Sequence, residues 1–313
     1  MKNIKIKFFF IVNIAAILLF ANFSFAQKYV AITFDDLPSP LANLDDNIYV
    51  TDNLLKILED YNIKLTAFAN EGKTNIEGER EQRAALLKKW IDKGHDLGNH
   101  TYSHVDIGRV GLAAYEEDVI KGEPLVTKLM NDAGKKMKYF RHPFLYTGKS
   151  QGQKDSLDAF LKERGYTIAP VTLDNSDWLF AFCYYYAVRH DEKQLADSIV
   201  TSYIEYMNLM ADFFENLSQE FFGRQIKQTL LVHANLLNAD HFDKIIELYK
   251  KRGYEFISLD EALTDTAYSM TDAQMKWGRS WIHRWMLAQG LKAKSDPNEP
   301  QWILDLYEKW SKR

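Results

Sequence analysis

The chain has 313 residues, 46% of them hydrophobic and 26% charged, a globular composition with enough apolar mass for a large core and no disordered bias. A formal net charge of -4 lacks the basic excess that phosphate neutralisation demands, so no nucleic-acid partner is expected. Cys183 is the single cysteine, which excludes an internal disulfide even in an oxidising compartment and leaves stability to packing.

At the N-terminus, Lys2, Lys5 and Lys7 precede an apolar run from Phe8 to Phe20, and Ser24-Phe25-Ala26 has the small-x-small form of a cleavage site. Residues 1–26 are expected to be a signal peptide, with the mature protein beginning near Gln27 and exported to the periplasm or outside the cell. The apolar run is short for a bilayer span, so no stable membrane span is expected after cleavage; an uncleaved anchor is the competing reading.

Beyond it, short apolar runs alternate with helical patterns, the sign of a mainly parallel sheet with helical crossovers. Candidate strands are Tyr29 to Thr33, Leu65 to Ala69, His95 to Gly98, Lys138 to Arg141, Thr167 to Leu173, Thr229 to Val232 and Glu255 to Ile257. Amphipathic stretches at helical spacing lie between them: Asn53 to Tyr61, Gln82 to Lys93, Ala113 to Asp132, Ser156 to Arg164 and His241 to Arg252. A strand-helix barrel over residues 27–262 is the economical reading. Residues 180–224 interrupt the rhythm and predict one or two inserted helices; their Tyr184-Tyr185-Tyr186 cluster could pack as core or line a sugar groove. Residues 263–313, with Trp277, Trp281, Trp285, Trp302 and Trp310 on helix-compatible spacings, predict a helical C-terminal extension whose tryptophans either pack on the barrel or stack on sugars.

Polar clusters fall at the ends of the predicted strands. Asp35-Asp36 follows the first, at the mouth where barrels build their sites, and adjacent carboxylates stay ionised together most simply around a cation. His100-Thr101-Tyr102-Ser103-His104 follows the third; on a helical turn its two imidazoles would share a face and could hold one metal. Two His and one Asp leave a position open for water, as catalytic zinc requires, while the absence of the Glu of a zinc-protease helix argues against a protease. Arg141-His142-Pro143-Phe144 offers a guanidinium to orient a carboxylate, and Asp174-Asn175-Ser176-Asp177-Trp178 with Leu231-Val232-His233 brings a carboxylate to an imidazole.

These five motifs, in this order, resemble the polysaccharide deacetylase, or NodB-homology, family of carbohydrate esterases. The resemblance runs from about Tyr29 to Ile257 and implies an α/β fold, a deformed (β/α)7-type barrel. It also implies that Asp35 is the general base, that Asp36, His100 and His104 bind a divalent metal, with zinc the expected ion, and that His233 is the general acid. By the same carry-over Arg141 orients Asp35, Asp177 tunes His233, and Phe144, Trp178 and Leu231 shape the acetyl pocket and groove. Phe144 stands where Tyr is frequent in the family; the role there is a backbone N–H to the oxyanion, which Phe supplies equally. The implied reaction is removal of N-acetyl groups from amino-sugar polysaccharides or oligosaccharides. An O-acetyl (acetylxylan-type) esterase, a cyclic amidase and a non-catalytic carbohydrate-binding protein are the alternatives.

Overall fold

The computed structural model describes residues 27–312, so the expected signal segment lies outside the described residues. In chain order the elements are β1 (Lys28–Leu37), α1 (Leu44–Asp60), β2 (Thr66–Ala69), α2 (Arg80–Asp92), β3 (Asp96–Asn99), α3 (Ile107–Val110), α4 (Leu112–Lys121), α5 (Pro124–Asp132), β4 (Tyr139–Phe140) and α6 (Gln151–Glu163). Then follow β5 (Thr167–Ile168), α7 (Asp177–Arg189), α8 (Lys193–Phe222), β6 (Gln228–His233), α9 (Leu236–Lys251), β7 (Tyr254–Phe256), α10 (Leu259–Ala262), α11 (Trp281–Ala288) and α12 (Gln301–Ser311).

Every strand pair is parallel, as crossovers through helices require. The sheet runs β5-β4-β3-β2-β1-β6, with β7 beside the first residues of β1. A bridge between Leu173 and Leu230 then joins the chain beyond β5 to β6, completing the ring of a deformed (β/α)7-type barrel. β1 shows how the barrel is divided. Phe34 faces outward, its ring 4.9 Å from Phe242 of α9 and 5.8 Å from Trp90 of α2, whereas Thr33 and Asp35 meet the guanidinium of Arg141.

Several elements depart from the sequence reading. The helix expected at Asn53 starts at Leu44, because the Asn43 side chain caps the amides of Asp45 and Asp46. The single helix expected over Ala113 to Asp132 is two, since Pro124 has no N–H to continue α4 and instead begins α5. The strand expected over Thr167 to Leu173 ends at Ile168: Pro170 removes a donor, and the ladder resumes only as the Leu173 bridge. The insertion is two helices, α7 and the 30-residue α8, whose buried Ile199, Tyr203, Met207, Met210, Phe214 and Leu217 recur at helical spacing and join the principal core. No described helix is long and apolar enough to cross a membrane.

β3 approaches its neighbours more closely than a side chain allows. A methyl on Gly98 would stand 2.6 Å from the Phe68 ring and 2.9 Å from the Tyr139 carbonyl. Gly98→Ala is therefore expected to destabilise the fold by roughly 1–3 kcal/mol. Urea denaturation reads this directly, and an unchanged midpoint would remove close packing as the reason for glycine there.

Candidate active site

Two successive residues of a regular strand point to opposite faces. Asp35 and Asp36 nevertheless both line one cavity of about 520 Å³ at the C-terminal mouth of the barrel. The cause is local: the β1–β2 register shifts between Phe34 and Leu37, and Asp36 takes a left-handed φ of 73°. The same device recurs around the cavity. Of seven non-glycine residues with positive φ among the described residues, Asp36, Thr101, His104, Phe144 and Leu145 belong to the loops that form it, a concentration of strain characteristic of functional sites.

His100 and His104 do converge, but not on the helical turn anticipated from their spacing. Left-handed Thr101 and His104 fold the segment into an irregular loop, tied down by Asn99 Oδ1 accepting from the Thr101 amide at 2.7 Å. One ligand atom from each of Asp36, His100 and His104 lies within 4.8 Å of the others. The donors suit a divalent cation. His100 Nδ1 is 2.8 Å from the Arg141 carbonyl, so that nitrogen carries the proton and Nε2 keeps its lone pair for a metal. Burial lowers the pKa of both imidazoles and holds them neutral, the ligating form. Burial pushes Asp36 upward, but Lys73 and the neighbouring imidazoles outweigh it and hold this carboxyl well below the usual range. Lys73 Nζ lies 2.8 Å from Asp36 Oδ1, so any divalent cation entering here would compete with this ammonium for one carboxylate.

Asp35 sits in the register position opposite His233 on β6. Burial raises its pKa to about 6, against the pull of Arg141 and His233. Arg141, fully buried, reaches both Asp35 oxygens at 3.3 Å and is itself fixed by the Ala169 carbonyl and the Thr33 hydroxyl. On the other side, His233 Nδ1 lies 2.6 Å from Asp177 Oδ1. Burial by itself lowers the His233 pKa, but Asp177, with help from Asp36 and Asp35, carries it up to about 9. Asp177 Oδ2 accepts from the His233 amide, Asn235 and Asn238, so the carboxylate is fully engaged.

The anticipated residues thus fall into two groups. Asp35, Asp36, His100, His104, His233, Phe144, Trp178 and Leu231 line the cavity, while Arg141 and Asp177 stand behind Asp35 and His233. Phe144 belongs to the short 3-10 turn Pro143–Leu145, where early amides lack helical partners, and its ring lies edge-on to His104 at 4.5 Å.

Residues 24–168 match the family model described as polysaccharide deacetylase. The matched residues, just under half of the chain, resemble the polysaccharide deacetylase, or NodB-homology, family. The chain is similar to a peptidoglycan-N-acetylglucosamine deacetylase of Bacillus cereus, 26% identical over 251 residues that cover 76% of this chain and 73% of the relative. A chitooligosaccharide deacetylase of Sinorhizobium fredii is 24% identical over 37% of this chain and 46% of its own. Among solved structures, a peptidoglycan N-acetylglucosamine deacetylase superposes with TM-score 0.49 at 23% identity, covering 76% of this chain and 89% of the other. A family 4 acetyl xylan esterase from Clostridium thermocellum, in complex with a cobalt ion, gives TM-score 0.48 at 22% identity, covering 76% and 91%.

The sequence motifs did not disclose Lys73, Asn235, Asn238 or the C-terminal residues against the site. Asn235 was legible only as a helix cap, since its side chain accepts from the Asn238 amide at the start of α9. Tyr203 of α8 donates to Asn238 Oδ1 at 2.9 Å, so the inserted helix supports the Asp177–His233 pair at one remove. Gly278 lines the cavity with its Cα against the Phe144 carbonyl: an added methyl would lie 1.6 Å from that oxygen. If Asp177 is what raises His233, Asp177→Asn should bring the imidazole pKa down to or below its ordinary value of about 6.5. Histidine NMR titration measures it, and a pKa still near 9 would assign the shift to some other group.

Proposed function

We propose that the protein is a metal-dependent hydrolase that removes N-acetyl groups from amino-sugar polysaccharides or oligosaccharides. One observation carries this reading: the Asp36, His100 and His104 ligand atoms gather within 4.8 Å of one another, beside a buried carboxylate and an imidazole, Asp35 and His233, on paired positions of adjacent strands. The peptidoglycan and chitooligosaccharide deacetylases among its relatives support the same substrate class. Export, read from the N-terminal segment, would bring the enzyme to envelope or extracellular glycans.

Asp36, His100 and His104 would hold the metal; two imidazoles and a carboxylate are a donor set suited to zinc with a coordination position left open. Bound there, a divalent cation would act as a Lewis acid toward the acetyl carbonyl and make nearby water more acidic. Asp35 takes the proton of the attacking water as its oxygen adds to the acetyl carbon. Arg141 keeps Asp35 oriented and, by its charge, opposes the protonation that burial favours. The Phe144 amide can donate to the carbonyl oxygen as it becomes negative, a contribution of about 3–4 kcal/mol for a well-placed donor. His233 then passes its proton to the sugar nitrogen, the C–N bond breaks, and acetate and a free amine result. A pKa of about 9 favours an amide substrate, because His233 stays protonated and nitrogen does not leave without a proton.

Acetate release from N-acetylglucosamine oligomers and from acetylxylan, with and without chelator, is the direct test. The expected result is chelator-sensitive release from the oligomers, and replacement of His100 and His104 together by Ala should abolish metal uptake by elemental analysis. Release from acetylxylan alone would transfer the protein to the esterases; full metal content in the double variant would remove the two imidazoles as ligands.

The pH dependence follows from the two flanking groups. Asp35 must be ionised to accept a proton, so the rate rises with pH through about 6; His233 must be protonated to donate one, so the rate falls through about 9. A cation bound beside Asp35 moves the lower limb to more acid pH. Asp35→Asn should lose at least about 100-fold in kcat while retaining metal. A variant with normal turnover, or a wild-type profile lacking both limbs, would contradict these roles.

A further inference from the structure

The five tryptophans of the C-terminal extension do not share one environment. Trp281, Trp285 and Trp310 are buried, whereas Trp302 and Trp277 are exposed, Trp277 the more so at 68%. Its place is set by its neighbour. Gly278 lines the catalytic cavity against the Phe144 carbonyl, so Trp277, one peptide bond away, stands at the cavity rim. Further bonds hold this stretch in place: the Ser280 hydroxyl and the Trp281 amide donate to the carbonyls of Thr172 and Val171, and buried Arg284 bonds the Leu145 carbonyl and the Thr147 hydroxyl. The indole is thus presented by a firmly docked segment.

Trp277 opens onto a second hollow, of about 340 Å³, that shares Asp174, Asn175 and Ser176 with the catalytic cavity. The two spaces adjoin across that loop. Around the indole the polar groups are already oriented: Arg279 is held by the Lys294 carbonyl and by Asp296, both at 2.9 Å, and Glu299 accepts from the Ser176 hydroxyl at 2.5 Å. Lys276 Nζ is 5.2 Å from the centroid of the Trp277 ring, yet most of the residue stays open to solvent. An aromatic platform bordered by fixed hydrogen-bonding groups matches a pyranose, which has an apolar C–H face and polar hydroxyls around its edge.

We propose that Trp277, with Arg279 and Glu299, forms a sugar-binding subsite that holds the residue next to the acetylated sugar, so that the C-terminal extension makes the enzyme select chains over single sugars. This rests on the deacetylase reading above. Contacts remote from the reacting bond can be used to position it, so the subsite is expected to raise kcat/KM with chain length. A peptide attached to a glycan is the competing occupant; the indole and the continuity with the glycan-accepting cavity favour the sugar.

The test compares wild type, Trp277→Ala and Trp277→Phe on peptide-free N-acetylglucosamine oligomers of increasing length and on peptide-bearing peptidoglycan fragments. For Trp277→Ala, the ratio of kcat/KM for a long oligomer to that for the dimer should fall roughly tenfold, and Trp277→Phe should recover most of it, as expected when an aromatic anchor is removed and replaced. Calorimetric binding of the long oligomer to the Asp35→Asn protein, with and without Trp277→Ala, reads the subsite independently of turnover and should show a comparable loss. An unchanged length ratio together with unchanged binding overturns the subsite. A loss confined to peptide-bearing fragments overturns its assignment to sugar. Failure of the wild type to release acetate from any glycan would instead count against the deacetylase reading, while the binding comparison still decides the subsite.

Discussion

Arg141 is fully removed from water, and a buried charge left unpaired costs several kcal/mol. The barrel mouth is organised around meeting that demand. The guanidinium bonds the Ala169 carbonyl beyond β5 and the Thr33 hydroxyl and Asp35 carboxylate of β1, and it lies over the Phe68 ring of β2. One side chain thereby ties four segments of the barrel together. It also answers an electrostatic problem, since burial drives Asp35 toward the neutral acid and the adjacent positive charge keeps the carboxylate within reach of ionisation.

A second demand is geometric. Strands deliver side chains alternately to two faces, yet the candidate site needs the neighbouring carboxylates Asp35 and Asp36 together. Left-handed backbone at Asp36, Thr101, His104, Phe144 and Leu145 meets this need and carries a conformational cost that tight surroundings must sustain. Those surroundings come partly from outside the barrel. Gly278 and Arg284 of the C-terminal extension press on and bond the Phe144–Leu145 turn, and Tyr203 of α8 reaches the Asp177 network through Asn238. The additions to the barrel therefore support the site as well as adding surface, and they give this chain features that its five motifs do not contain.

The sequence alone determined the strand-helix alternation, the succession of polar clusters at strand ends and the composition of the constellation at the mouth. Periodicity and residue chemistry are local properties, and Asp35-Asp36, the His100/His104 pair, Arg141, Asp177 and His233 could each be read where they stand. Only the tertiary structure decided how these side chains meet. The bulge that turns Asp36 inward, the irregular loop in place of a helical turn at His100–His104, and the ladder lost at Pro170 and resumed at Leu173 arise from pairing with strands distant in sequence. So does the division of the C-terminal tryptophans into buried Trp281, Trp285 and Trp310 and exposed Trp277 and Trp302: Trp277 lies before α11 rather than on a helix, and spacing does not record what covers a side chain.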